Sequence, residues 1–324
     1  FYAVLLFGVQ LLDRIIYGYY CSKNFEEARF VFAFDKSIFK EMGNIAGWSL
    51  FGNLAGVGYT QGLNLLLNMF FGPAVNAARG VAVTVQGIVF GFVSNFQMAL
   101  NPQITKSYAV NDLKRMHTLI YASSKVSFFL LLLLVQPIII EAGTILTIWL
   151  KLVPSHTVAF LRFILCIMLI ESLANPLMVA SQAVGKVKIY QSVVGGILLL
   201  IVPLAYIALR FGGTPEVVYA IHFIIALFAQ FFRLKIVSQM IQMPLWLYFK
   251  NVLIRIISVI LTSTIPSIMV YCLLPKTIGY AMLIIIFTIL LNILTIVYSG
   301  MSKTERCFVL NKIKVLINSN KNKK

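Results

Sequence analysis

The segment Tyr280–Ser299, YAMLIIIFTILLNILTIVYS, is 20 residues long and carries no charge. A helix rises about 1.5 Å per residue, so this run covers roughly 30 Å, the thickness of a hydrocarbon core. The tail beyond it holds Lys303, Arg306, Lys312, Lys314, Lys321, Lys323 and Lys324. An uncharged run of membrane length followed by basic residues reads as a transmembrane helix ending on the cytoplasmic side. Eight runs upstream have a similar character: Phe1–Tyr20, Asn44–Met69, Val81–Tyr108, His117–Ile138, Ala159–Gln182, Gln191–Leu209, Val217–Val237 and Leu253–Leu274. Nine crossings make the loops alternate. One side then carries 20 of the 27 basic residues, and the other only Arg79, Lys151, Arg162, Arg210 and Lys276. Arg14 and Lys125 lie within spans. The basic side is the cytoplasmic one, so the C-terminus is expected inside and Phe1 outside. The fold class predicted is an all-α integral membrane protein with nine transmembrane helices.

Composition points the same way. With 60% hydrophobic and 11% charged residues and a mean hydropathy of +0.91, a soluble domain of 324 residues has too little polar surface to cover its apolar side chains. The net charge of +17 is spread over short loops and one tail, with no basic face interleaved with aromatics. That distribution suits membrane lipids and argues against nucleic acid. Cys21, Cys166, Cys272 and Cys307 show no metal-type spacing and imply no disulfide framework. The chain opens inside an apolar run, with neither Met nor a signal-peptide pattern, which predicts a fragment. A cytoplasmic N-terminus for the longer protein requires an odd number of spans upstream.

Five regions are expected: a span at 1–20, a cytoplasmic linker at 21–43, a six-helix unit at 44–238, a hairpin with its preceding loop at 239–299, and a basic tail at 300–324. The linker mixes Lys23, Glu26, Glu27, Arg29, Asp35, Lys36, Lys40 and Glu41 with Phe25, Phe30, Phe32 and Phe34, the pattern of an amphipathic helix on a membrane surface. Pro176, Pro203 and Pro266 fall inside spans, where they kink helices if neighbours satisfy the freed carbonyls.

At about 100° per residue, Ser49, Asn53, Thr60, Asn64 and Asn68 share a single helix face, and Gln86, Ser94, Gln97 and Asn101 share another on the next span. Amides in hydrocarbon need partners. These stripes either staple helices or line a hydrated lumen, and two whole stripes on adjacent helices favour the lumen. The G-x-x-x-G pairs Gly43/Gly47, Gly52/Gly56, Gly58/Gly62 and Gly87/Gly91 read as close-packing devices.

Lys125 lies about 12 Å into its span and Glu171 at a similar depth. Each charge needs a partner or water there. Tyr121, Lys125 and Gln136 share one face, and Glu171, Asn175 and Gln182 another, so adjacent antiparallel helices can form a Lys125–Glu171 pair. Such a pair is either a lumen site for an anion and a coupling cation or a structural ion pair; snorkelling of Lys125 is the third option. Arg14, beside Asp13, faces a lumen or snorkels. Arg79, in the turn Gly72–Gly80, receives an anion at the outer mouth or anchors the turn. Arg162 reads as an interfacial anchor.

Enzyme chemistry has little material. The nearest match to a phosphate cradle, Ala180–Val187, lacks the first glycine and the terminal hydroxyl. His117, His156 and His222 stand isolated, and only ten acidic residues are present. No catalytic residue, metal or cofactor is expected.

The run Gln61–Ala82, QGLNLLLNMFFGPAVNAARGVA, followed by Asn101–Ala109, NPQITKSYA, resembles bacterial polysaccharide-biosynthesis transporters of the Wzx type, the O-antigen flippases. These belong to the multidrug/oligosaccharidyl-lipid/polysaccharide exporter superfamily. Leu11–Tyr17, Asn175–Leu177 and Gly185–Lys188 are similar to the same family. The resemblance implies a two-lobe bundle truncated at its N-terminus: the last helix of the first lobe, a full second lobe and an extra C-terminal hairpin. It further implies flipping of an undecaprenyl-diphosphate-linked oligosaccharide, by alternating access, from the cytoplasmic to the periplasmic leaflet of the inner membrane, as lipopolysaccharide synthesis requires. Implied partners are the lipid-linked oligosaccharide, a coupling cation (H+ or Na+), and the polysaccharide polymerase with its chain-length machinery. A drug/cation antiporter or a peptidoglycan-precursor flippase of the superfamily is the alternative, and a non-transporting scaffold is a further one. Expected lumen residues are Arg14, Asn53, Thr60, Asn64, Asn68, Arg79, Gln86, Gln97, Asn101, Lys125, Glu171 and Asn175.

Overall fold

The computed structural model describes residues 2–25, 35–275, 277–302 and 305–307, which are helical throughout apart from short connections. The central part of the expected linker helix (26–34), Lys276, Lys303 and the tail from 308 onward lie outside the described residues. The helices are α1 (Tyr2–Asn24), α2 (Lys36–Phe71), α3 (Pro73–Ala109), α4 (Leu113–Ile140), α5 (Ala142–Leu150), α6 (Thr157–Glu171), α7 (Ala174–Val184), α8 (Val187–Leu199), α9 (Ile201–Arg210), α10 (Pro215–Met240), α11 (Leu245–Tyr248), α12 (Ile254–Leu273) and α13 (Ile278–Thr295). One-turn π-helical segments, Phe249–Leu253 and Ile296–Gly300, join α11 to α12 and extend α13.

Among the described residues, eight helical stretches are long and apolar enough to cross a membrane. The ninth expected span, Asn44–Met69, lies in α2, whose 36 residues are ample in length. Its polar stripe leaves it less apolar than the eight. The chain divides into two compact units, Phe1–Ala46 and Gly47–Lys324. The expected border at 43/44 therefore falls inside a continuous helix. In the second unit, the spans Leu113–Ile140 and Thr157–Val184 are 67% and 61% buried, against 33% or less for the others. They form the centre. Around them α3 packs on α4, α6 and α7, and α10 packs on α6, α7, α8 and α9. The pair α12–α13 packs on α4 as part of the same unit. Ile257, Leu261, Ile265, Met282, Leu283, Ile286 and Leu290 remain exposed on these two helices, as suits a surface whose solvent is hydrocarbon.

Local chemistry explains the joints. Only Gly72 separates α2 from α3; its φ of 78° belongs to the left-handed region that glycine tolerates, and Pro73 starts α3 where a missing N–H costs nothing. The predicted turn Gly72–Gly80 is thus mostly helix, and Arg79 sits in the second turn of α3. Two spans are broken where proline predicts. Pro176 cannot donate to the carbonyl of Ser172, and α6 gives way to α7 at Ser172–Leu173. Gln97 of α3 donates its Nε2 to that carbonyl at 3.0 Å. Pro203 likewise frees the Leu199 carbonyl, and α8 ends there. Pro266 stays inside α12 without a break.

The glycine pairs divide. A Cβ on Gly62 would lie 2.6 Å from Val202 Cγ2, and one on Gly52 would collide with Gln191, so these glycines let α2 approach α8 and α9. Among the described residues nothing lies within 4 Å of a Cβ at Gly43, Gly47, Gly56, Gly87 or Gly91. The packing role expected of the Gly87/Gly91 pair is not realised.

Candidate functional site

Four helices of the second unit converge on a cavity of about 150 Å³. Residues at i, i+3 and i+4 spacing aim at it: Tyr59, Thr60 and Leu63 from α2; Arg79, Val83 and Gln86 from α3; Ile164, Ile167 and Glu171 from α6; Tyr219 and His222 from α10. Glu171 is the last residue of α6, placed at the break made by Pro176. Its Oε1 lies 4.0 Å from His222 Nε2. The Tyr59 ring meets the His222 ring edge-on with centroids 5.2 Å apart. The Tyr59 hydroxyl and the Arg233 guanidinium also act on the Glu171 carboxylate. Arg79 ties α3 to α2 by donating Nη2 to the Thr60 carbonyl at 3.2 Å, and Thr60 Oγ1 donates back along α2 to Gly56 O at 2.8 Å.

Capacity is left over in this site. The Tyr219 hydroxyl and His222 Nε2 are buried without a hydrogen-bond partner among the described residues. Arg233, 7% exposed, has Nε and Nη1 in the same condition. Such groups in a low-dielectric setting favour whatever supplies the missing bond. Two fixed cations, one carboxylate and one imidazole can hold a proton or small cation at Glu171–His222 and an anion beside Arg79. Among the described residues no group of three metal-ligating side chains occurs.

The cavity gathers four of the expected lumen residues, Thr60, Arg79, Gln86 and Glu171. Asn64 and Asn68 line a neighbouring recess of about 420 Å³ with Gln61 and Asn76. There Asn64 Nδ2 donates to Gln61 Oε1 at 3.4 Å. Asn101 lines a separate outward recess with Thr105, Lys106 and Gln182. Asn53 is exposed, and Asn175 is partly buried with Oδ1 unpartnered. Gln97 is 2% exposed and serves the α6–α7 break instead of a lumen. Arg14 belongs to the first unit, where it is exposed beside Gln10, Asp13 and Tyr17. Arg162 donates Nε to Ile139 O at 3.0 Å.

The Lys125–Glu171 pair does not form. Lys125 is 5% exposed and donates Nζ to both oxygens of Glu305, at 2.7 and 2.8 Å. The face of α4 bearing Lys125 and Gln136 turns to the C-terminal hairpin, where Ser263 donates to Gln136 Oε1 at 2.9 Å. Glu171 instead faces α2 and α10. His222 and Arg233 were not expected in the site: one stood alone in the sequence and the other counted among loop cations. At about 100° per residue, Tyr219, His222 and Arg233 fall on one face of α10, a signal the sequence does carry.

Behind this cavity lies a second, apolar space of about 550 Å³, bounded by α4, α6, α10 and the α11–α12 stretch. Helix α6 turns Cys166, Leu169 and Ile170 toward it while Ile164, Ile167 and Glu171 face the polar cavity. Helix α10 does the same with Phe223, Leu227 and Phe231. No protein-family model, curated protein or solved structure matches the chain.

Proposed function

We propose that the chain is the membrane-embedded part of a transporter that flips an undecaprenyl-diphosphate-linked oligosaccharide from the cytoplasmic to the periplasmic leaflet, for surface polysaccharide synthesis. The observation that carries this reading is the two-sided wall of α6 and α10, with a charged polar cavity on one side and a large apolar groove on the other. An amphiphile needs both: cations and amides for diphosphate and sugar hydroxyls, and an apolar surface for the isoprenoid chain. Glu171 with His222 is the natural carrier of a coupling H+ or Na+, placed where a broken helix ends inside the membrane. The sequence resemblance to Wzx-type transporters supports the same assignment and an inner-membrane location, and the excess of basic residues in alternate loops supports a cytoplasmic C-terminus.

Deleting the gene is expected to accumulate lipid-linked glycan on the cytoplasmic leaflet and to deplete surface polysaccharide. Restoration by the wild-type gene but not by Arg79→Ala supports the reading. An unchanged surface glycan and unchanged lipid-linked pool after deletion would end it. The acidic Glu171–His222 site favours one second reading, a cation-coupled exporter of amphiphilic drugs. Deletion would then raise drug sensitivity and leave glycans intact.

A further inference from the structure

Beyond α13 the chain turns back onto the bundle. Ser302 and Glu305 cap one another: the Ser302 N–H donates to Glu305 Oε2 at 2.8 Å, and the Glu305 N–H to Ser302 Oγ at 3.2 Å. This is the S-x-x-E capping box, which fixes the carboxylate at the first turn of a helix. The same carboxylate accepts both hydrogen bonds from Lys125. Its side chain is 40% exposed while that of Lys125 is 6% exposed, so Glu305 is the more solvent-facing partner of the pair. Arg306 donates to the carbonyls of Val297, at 2.9 Å, and Tyr298, binding the tail to the end of its own hairpin. Arg255, in the first turn of α12, donates Nη1 to Gly300 O at 3.3 Å. A Cβ on Gly300 would lie 2.7 Å from the Phe129 ring of α4 and 3.1 Å from Val259 of α12. Thus α4, α12 and the extension of α13 meet at Gly300.

A buried ammonium needs a counter-charge, and here the counter-charge comes from a segment 180 residues away in the chain. Arg255 adds a second cation beside Lys125. Without Glu305 the point of contact holds two positive charges and no negative one among the groups described there. We propose that Glu305, held by Ser302, is a latch: the Lys125–Glu305 pair clamps the C-terminal hairpin to α4, and its release opens Lys125 to solvent and frees α12 from α4. Since α4 and α12 pack on each other and both line the apolar groove, the latch controls whether that side of the groove stays closed. The inference stands on the contact itself and is independent of the transported substrate.

The test is amine labelling of the purified full chain in lipid nanodiscs with an N-hydroxysuccinimide ester at fixed pH, followed by peptide mass spectrometry. The exposed Lys235 and Lys250 serve as references. Lys125 is expected to react far more slowly than either in the wild type. In Glu305→Gln its rate should rise about tenfold or more, the factor that one charge-assisted bond represents. In Ser302→Ala, which removes the cap but keeps the charge pair, the rise should be smaller. Hydrogen exchange at the Ile254–Ser258 amides should quicken in Glu305→Gln while exchange in α6 stays unchanged. Unchanged Lys125 labelling in Glu305→Gln would show that the helices alone bury it and would overturn the latch. A rise in exchange shared equally by α6 and α12 would overturn it as well, because it reports general loosening.

Discussion

Replacing Gln97 by leucine isolates the chemistry of the α6–α7 break. Gln97 is 2% exposed and so is Ser172, whose carbonyl receives the amide at 3.0 Å. That carbonyl is an orphan only because Pro176, four residues on, has no N–H to offer it. Gln97→Leu keeps the volume roughly constant and leaves the carbonyl buried with no donor and no access to water. An orphaned buried acceptor costs about 1–3 kcal/mol, whereas an interhelical hydrogen bond in a membrane averages only about 0.6 kcal/mol. The expected loss is therefore about 1–2 kcal/mol, at the orphan end of the scale. In a Pro176→Ala background the new N–H at position 176 can close the helical bond to Ser172 O. Gln97→Leu should then cost less than about 0.5 kcal/mol, giving a coupling energy of about 1 kcal/mol or more. Denaturant titration of the four proteins in micelles, followed by circular dichroism, measures this cycle. An equal cost of Gln97→Leu in both backgrounds would refute the reasoning, and so would a cost near zero in the wild type.

Other outcomes follow from the same contacts. Glu171→Gln should abolish the dependence of transport on a H+ or Na+ gradient in proteoliposomes while leaving the protein folded; an intact gradient dependence would remove Glu171 from coupling. Gly62→Ala should destabilise by about 1–3 kcal/mol, because its Cβ falls 2.6 Å from the stiff branched side chain of Val202. Gly87→Ala meets nothing within 4 Å and should be neutral or gain up to about 1 kcal/mol from helix propensity, which thermal unfolding distinguishes. Burial raises the Glu305 carboxyl, but the Lys125 ammonium and the Ser302 N–H together outweigh it and hold its pKa below the ordinary 4.5. A lowered acid stabilises the fold above its unfolded pKa and loses that contribution as pH falls through its folded value. The stability difference between wild type and Glu305→Gln should accordingly be constant above about pH 4.5 and shrink on further acidification.

Length and apolarity are local properties, which is why the span from Tyr280 could be read directly and why Pro176 and Pro203 marked real breaks. Glu171 was legible too, since a carboxylate deep in an apolar run demands an explanation. Its partner was not. Which helix faces Glu171 depends on the rotation of α4, α6 and α10 about their axes, and amphipathic patterning is weak in helices that are apolar nearly all round. Lys125 and Glu171 had matching depth and opposite charge, yet the α4 face of Lys125 turns toward the hairpin. Its true partner, Glu305, sits where the sequence looks like a frayed basic tail. Arg233 was misplaced for a related reason: it lies inside the run Val217–Val237 but within about one turn of its end, where a cation is easily grouped with the loop, whereas the helix continues to Met240.

The break at Ser172 does more than bend a helix. It ends α6 at Glu171, so the carbonyl-rich terminus of α6, the negative end of its dipole, points into the region that also holds the Glu171 carboxylate. Both features attract positive charge, and what lies opposite is His222 at 4.0 Å and the buried Arg233 with two unused N–H groups. A continuous helix through this point would have carried its dipole on past Glu171. Pro176 therefore creates the electrostatics of the site, and Gln97 makes the break tolerable in an apolar medium by satisfying the one carbonyl that proline cannot. A sugar-phosphate carrier and a cation exporter both need a place inside the membrane where charge can enter and leave. In this chain a charged site among apolar helices is built by one proline, one amide and the carboxylate they leave at a helix end.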